Sequence, residues 1–248
     1  MRLFELRIDM KFRNILIRCI ACLKFTQRFE RRSDECIIFG SGPSLDLLEL
    51  DSPFFKDKDL IGCNFIQEHK LFARKKFQLY SLIDKDYSSE VDGNYFANLN
   101  SEYVLISTKN MYQLNPLRLI SRRIRIVKSI PFEQAKCDRE KAIRKEIFTG
   151  NSVPFLIQCA VLLSGYKKIY LLGIDHYERR SENGTYNFSG YSGRKLKKLH
   201  ISNEKLSYIE DLYRYVFSLC KQHNVTILNA TPNTRLDVIP KHEIPQNG

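Results

Sequence analysis

The chain has 248 residues, enough for one large α/β domain with its own core and short of any need for two. Hydrophobic residues make up 43% and aromatic residues 12%, which excludes a disordered polymer. A net charge of +12 points to an anionic partner: nucleic acid, an anionic membrane surface or a phosphorylated substrate.

The first 32 residues hold nine basic residues (Arg2, Arg7, Lys11, Arg13, Arg18, Lys24, Arg28, Arg31, Arg32) against three acids (Glu5, Asp9, Glu30). Leu3, Phe4, Ile8, Phe12, Ile15, Leu16, Cys19, Ile20 and Leu23 recur among them at helical spacing. This predicts a basic amphipathic helix over residues 1–33, ahead of a domain over residues 34–248. Arg18 breaks the longest uncharged run, so the segment is too short to cross a bilayer, which takes roughly 20 apolar residues. It also lacks the unbroken apolar core and A-x-A site of a signal peptide. Two readings stay open. The helix lies on an anionic membrane surface, or it packs on the domain with a solvated basic face.

The seven cysteines are scattered, mostly in apolar runs, and read as reduced, buried small hydrophobes of a cytosolic protein. Cys19-Ile-Ala-Cys22 has no second pair and no His cluster near it, so neither a zinc nor a redox site is expected there.

Strands are predicted at Cys36–Phe39, Leu60–Cys63, Phe77–Ile83, Tyr103–Ser107 and Ile124–Val127. A helix follows at Val153–Leu163, a strand at Lys168–Leu172, a helix at Glu204–Gln222 and a last strand at Val225–Leu228. Continuous apolar strands alternating with helices predict a single α/β, Rossmann-like domain. Its sheet is doubly wound, mostly parallel, and covered by helices on both faces. In such sheets ligands bind beyond the carboxyl ends of the strands, and the residues that follow each strand are the candidates for chemistry.

After the first strand comes Gly40-Ser41-Gly42-Pro43-Ser44. Two glycines let backbone approach a phosphate, and a helix start offers N–H groups and a positive dipole end. The loop is neither G-x-G-x-x-G nor a P-loop, and a plain tight turn remains open. Thr149-Gly150-Asn151-Ser152 precedes the next helix and can cap it or face an anion. Gly173 and Asp175 end a later strand, and His176 beside them is ambiguous. Residues 178–199 are poor in aliphatics and read as a lid-like loop ending at His200. His69, His223 and His242 lie in polar surroundings and read as surface residues. No pair of histidines has metal-ligand spacing, so no metal site is expected.

Taken in order, these pieces resemble the bacterial sialyltransferases of glycosyltransferase family 42 and the related lipopolysaccharide-core Kdo transferases. The likeness rests on Gly40-Ser-Gly-Pro-Ser-Leu45, Cys63-Asn64, Gly165-Tyr-Lys-Lys-Ile-Tyr-Leu-Leu-Gly-Ile-Asp-His-Tyr177, Asn183-Gly-Thr-Tyr186, His200 and Thr231-Pro-Asn-Thr234. It spans about Cys36 to Asp237. Ser41 stands where the sialyltransferases carry Asn, and Asp84 stands where they carry Asn after the third strand. Ser41 with Pro43, Ser152-Val-Pro-Phe155 and Leu236-Asp-Val-Ile-Pro240 look like the Kdo transferases instead. The Gly165–Tyr177 block is also shared with relatives of the archaeal pterin diphosphokinase type.

The resemblance implies an inverting, metal-independent transfer of a CMP-activated ulosonic acid, Kdo or sialic acid, with no cofactor. The acceptor would be a lipopolysaccharide, lipooligosaccharide or capsule glycan. It makes His200 the general base and gives Tyr177 and Tyr186 to the departing phosphate. It leaves the nucleotide to Gly40, Ser41, Gly42, Pro43, Ser44, Asn64, Asp84, Thr149, Gly150, Asn151, Ser152, Gly173 and Asp175. A homo-oligomer at the cytoplasmic face of the inner membrane, attached through residues 1–32, would fit. Two rivals stand beside this reading. A Mg²⁺-dependent diphosphokinase would use Asp84, Asp86 and Asp175. A basic nucleic-acid-binding module is the other, although no helix-turn-helix, zinc finger or aromatic RNA-binding signature is present and no nucleic acid is expected.

Overall fold

The computed structural model describes residues 14–19, 28–49, 52–72, 74–81, 98–108, 121–132, 147–176 and 203–244. Nine strands are defined among them: β1 (Glu35–Phe39), β2 (Asp59–Cys63), β3 (Phe77–Ser81), β4 (Ser101–Ser107), β5 (Ile124–Val127), β6 (Ser129–Pro131), β7 (Ile147–Thr149), β8 (Lys168–Leu172) and β9 (Thr226–Asn229). Two α-helices accompany them, α1 (Ser152–Cys159) and α2 (Asn203–Gln222).

Seven strands form one sheet in the order β5-β4-β3-β2-β1-β8-β9, and every neighbouring pair is parallel. The chain builds outward from β1 to β5, then returns to the other side of β1 for β8 and β9. The direction of winding therefore reverses between β1 and β8. That switch point opens a crevice at the carboxyl ends of these two strands, where ligands bind in open α/β sheets.

Alternation along the strands builds two cores. Ile37, Phe39, Tyr170 and Leu172 face one side, with Leu45, Phe65 and Phe72 from the connecting turns. Cys36, Ile38, Ile169 and Leu171 face the other, with Phe155, Leu156 and Ile157 of α1 and Ile209, Tyr213 and Val216 of α2. Helices α1 and α2 cover this second side, while the helical residues 14–19 place Ile17 in the first core. Short 3-10 turns at Pro43–Leu47, Pro53–Phe55, Ile66–Glu68 and Lys70–Phe72 help cover the first. Cys36, Cys63, Cys159 and Cys220 are buried, as small hydrophobes are. Burial pushes the Cys220 thiol up to about 12 and also raises those of Cys36 and Cys159.

Four expectations need correction. The helix expected over 153–163 is α only to Cys159. It widens into a π turn at Ala160–Ser164, closed by the left-handed Gly165 (φ 71°). A second sheet, β6 paired in parallel with β7, was not foreseen; each strand has only three residues.

The third correction concerns the amino-terminal helix expected over 1–33. Residues 14–19 are helical, and Ile17 is buried in the first core. Residues 28–33 are not helical. Phe29 inserts into the second core and its N–H bonds the Leu163 carbonyl (2.9 Å), while Gln78 Nε2 donates to the Glu30 carbonyl (2.7 Å). Burying Phe29 and satisfying its backbone on the domain outweighs helical spacing.

The fourth is His69, which is buried rather than exposed. Its Nδ1 accepts from the Leu71 N–H (3.3 Å), which leaves the proton on Nε2 to donate to Asp46 (3.1 Å). Burial lowers its pKa from the ordinary 6.5, against the opposing pull of Asp46. His223 is exposed, and His242 is half-buried against Phe54 and Tyr170.

Candidate active site at the carboxyl edge of the sheet

The β1 and β8 ladders continue past their strand ends. The Gly40 N–H donates to the Leu172 carbonyl (2.8 Å) and the Gly42 N–H to the Gly173 carbonyl (2.9 Å). The two loops touch so closely that side chains are excluded. A Cβ at Gly42 would stand 1.9 Å from Asp175 Oδ2, and one at Gly173 would stand 2.6 Å from the Gly40 carbonyl oxygen. Gly173 also takes φ 71°, the left-handed region that favours glycine. Ser44, at the start of the 3-10 turn, donates from Oγ to Asp175 Oδ2 (2.7 Å) and from its N–H to both carboxylate oxygens (3.2 and 3.3 Å).

The Gly40–Ser44 loop is held from the β8 side. The amides of Gly40, Gly42 and Ser44 are engaged by the β8 side, and the Asp175 carboxylate occupies the end of the turn that was expected to meet a phosphate. The glycines serve loop-to-loop contact. Pro43 has no N–H to offer, and Ser41 is the half-exposed member of the loop.

At the tip of β2, Asn64 adopts φ 53°, a left-handed conformation that Asn tolerates. Its N–H bonds the Ser81 carbonyl (2.9 Å), and its carbonyl accepts from the buried Tyr80 hydroxyl (2.7 Å). The side chain is thus aimed by backbone bonds on both sides. Ser152, the first residue of α1, donates to Asn64 Oδ1 (3.4 Å). Cys63 Sγ reaches the Phe39 carbonyl (3.5 Å), which sets the ends of β1 and β2 side by side.

The other residues of the Thr149–Ser152 turn have local tasks. Asn151 caps α1 by accepting from the Val153 N–H (3.2 Å), and Thr149 Oγ1 donates to the Ile130 carbonyl in β6 (3.3 Å). Gly150 lies against α2: a Cβ there would be 2.4 Å from the Tyr208 hydroxyl.

Thr231 and Thr234, given no site role from the sequence, hold this edge together. Thr231 Oγ1 accepts from the Ile174 N–H (3.0 Å), and Thr234 Oγ1 donates to the Ile174 carbonyl (2.7 Å). The Thr-Pro-Asn-Thr element thus grips the backbone between Gly173 and Asp175. Its proline-punctuated spacing was visible in the sequence; its task was not.

The edge therefore gathers Gly40–Ser44, Asn64, Thr149–Ser152, Gly173 and Asp175. Asp84, Tyr177, Tyr186, the 178–199 loop and His200 lie outside the described residues. Among the described residues no cluster of His, Cys, Asp and Glu has the makings of a metal site. No helix among them is long and apolar enough to cross a membrane.

No family model and no curated protein matches the chain. Solved structures do. The monofunctional alpha-2,3-sialyltransferase Cst-I from Campylobacter jejuni shares 17% identity over 86% of this chain and 82% of its own, at a TM-score of 0.55. The sialyltransferase CST-II in complex with trisaccharide acceptor and CMP shares 22% over 84% and 85%, at 0.52. CstII from Campylobacter jejuni in complex with a substrate analogue, cytidine-5'-monophosphate, shares 20% over 84% of each chain, at 0.51. The chain is folded like these sialyltransferases, over most of its length and most of theirs.

Proposed function

We propose that the protein is a glycosyltransferase. It takes a CMP-activated ulosonic acid, sialic acid or Kdo, and passes the sugar to an anionic glycan or glycolipid acceptor. The observation that carries this reading is the polar edge at the β1/β8 switch point, where Asn64 and Ser152 meet beside the Gly40–Asp175 turn. Support comes from the fold, which it shares with sialyltransferases whose solved structures hold CMP.

In this reading Asn64, Ser152 and Ser41 face the nucleotide, and Asp175 with Ser44 keeps their loops in register. The bond to the sugar breaks as the CMP phosphate gains charge. Tyr177 and Tyr186 donate hydroxyl protons to it, a task that preorganised donors perform without a metal. His200 removes the proton of the attacking acceptor hydroxyl, which suits an imidazole near neutral pH. Arg194, Lys195, Lys197 and Lys198, close to His200 in sequence, meet the anionic acceptor. The basic side chains of the amino-terminal segment, which Ile17 and Phe29 fasten to the domain, meet an anionic membrane surface.

The test is a thermal-stabilisation screen with CMP, UMP, GMP and AMP in the presence of EDTA. A ligand at a hundred times its Kd adds about 2.7 kcal/mol. CMP is expected to stand out from the other three. Equal shifts for all four, or none, overturn the donor assignment, and a shift that needs Mg²⁺ favours a diphosphokinase.

A further inference from the structure

We propose that His176 is a positioning residue for the transfer, acting through Glu210 to seat α2 against the catalytic edge. The proposal rests on the transferase reading above.

His176 follows Asp175 at the tip of β8. It holds φ 57°, a conformation that a residue other than glycine keeps only where its surroundings fix it. Its side chain is 9% exposed, and its Nε2 lies 3.1 Å from Glu210 Oε1 in α2. An ionised carboxylate only accepts, so Nε2 carries the proton and donates. The second carboxylate oxygen of Glu210 lies 3.8 Å from Arg214 Nη2, which steadies the acceptor. Asp237 is a further charge near the imidazole, and its own closer partner is Lys241.

The contact completes a line across the site. Ser44 of the β1 loop holds Asp175, His176 is covalently next, and His176 holds α2. The same helix meets the site once more, where Tyr208 and Leu212 pack on Gly150 at the start of α1. So α2 touches the edge at both flanks of the proposed nucleotide site. In chain order α2 comes directly after His200, and its seating sets the point from which the base is delivered. Ile209, Leu212, Tyr213 and Val216 bury α2 independently of this bond. Loss of the pair should therefore shift the helix and leave the fold intact.

The experiment compares the full-length wild type with His176→Phe, Glu210→Ala, Glu210→Gln and the His176→Phe/Glu210→Ala double variant. Turnover, donor KM, melting temperature and amide exchange of α2 are measured in each. The proposal expects kcat to fall about tenfold or more in His176→Phe and in Glu210→Ala, with donor KM changed less than about threefold. The double variant should be no worse than the poorer single, because both break one contact. Glu210→Gln, whose amide oxygen still accepts from Nε2, should recover most of the rate. A kcat within about twofold of wild type in both singles, additive losses, or no recovery with Gln would overturn it. A wild type that neither binds CMP nor turns over any CMP-sugar strikes the transferase reading instead. The seating claim is then decided by exchange: faster exchange in the amino-terminal half of α2 in His176→Phe supports it, and unchanged exchange overturns it.

Discussion

At the residue scale, the bond between Ser44 and Asp175 organises the site, and it joins positions 131 apart in sequence. Nothing local to Gly40–Ser44 announces that partner. The sequence shows two glycines before a turn and so suggests a phosphate; the structure adds that Ser44 in this loop holds the Asp175 carboxylate. Asn64 was singled out only through the resemblance, on Cys63-Asn64; its backbone bonds to Ser81 and Tyr80 were not visible in the sequence. Ser44→Ala tests the pairing. It removes the hydroxyl from a buried carboxylate and should cost about 1–3 kcal/mol in chemical denaturation. A loss below about 0.5 kcal/mol would mean that the hydroxyl is not what holds the two loops.

At the element scale, long apolar strands and the 20-residue α2 were read correctly in kind and place, with ends differing by a residue or two. The β6/β7 pair was not. Three-residue strands are too short for a period to show, and Pro131 argues against a strand by itself. What secures β7 is Gln158 of α1, fully buried in an otherwise apolar helix. Its Oε1 accepts from the Phe148 N–H (2.7 Å) and its Nε2 donates to the Phe148 carbonyl (3.0 Å). Gln158→Leu fills the space but leaves both backbone groups without their partner. Chemical denaturation should show a loss of about 2–4 kcal/mol, and a neutral result would remove this account of the second sheet.

His69 acts at the same scale, since it ties the Pro43–Leu47 turn to Leu71 through Asp46. Its folded-state pKa is lowered, so the unfolded chain takes up a proton first as pH falls. Its contribution is complete above the ordinary 6.5 and is lost as pH drops from there through the folded value. Denaturation midpoints at about pH 7.5 and 5 should therefore differ less in His69→Gln than in the wild type. An unchanged difference contradicts this role.

At the scale of the whole molecule, the parallel sheet followed from the order of apolar segments, because its central strands are buried on both faces. A doubly wound sheet was expected, but the place of its reversal, between β1 and β8, was not, since strand order depends on which long-range pairings form. Nor did the attachment of residues 28–34. The helix was expected to reach residue 33, yet Phe29 gains more from the core than from one further helical turn. The fold then places Gly40–Ser44, Asn64, Thr149–Ser152, Gly173 and Asp175 along one edge, where a nucleotide-activated sugar is proposed to bind. The most direct test of that claim is transfer itself. The wild-type protein is incubated in EDTA with CMP-sialic acid or CMP-Kdo and a glycan acceptor, beside His200→Ala. The account predicts metal-independent release of CMP coupled to glycosylated acceptor in the wild type. In His200→Ala the transfer should drop by about a hundredfold or more while CMP binding stays within a few-fold. Full turnover by His200→Ala, or a wild-type rate that appears only with Mg²⁺, would contradict it.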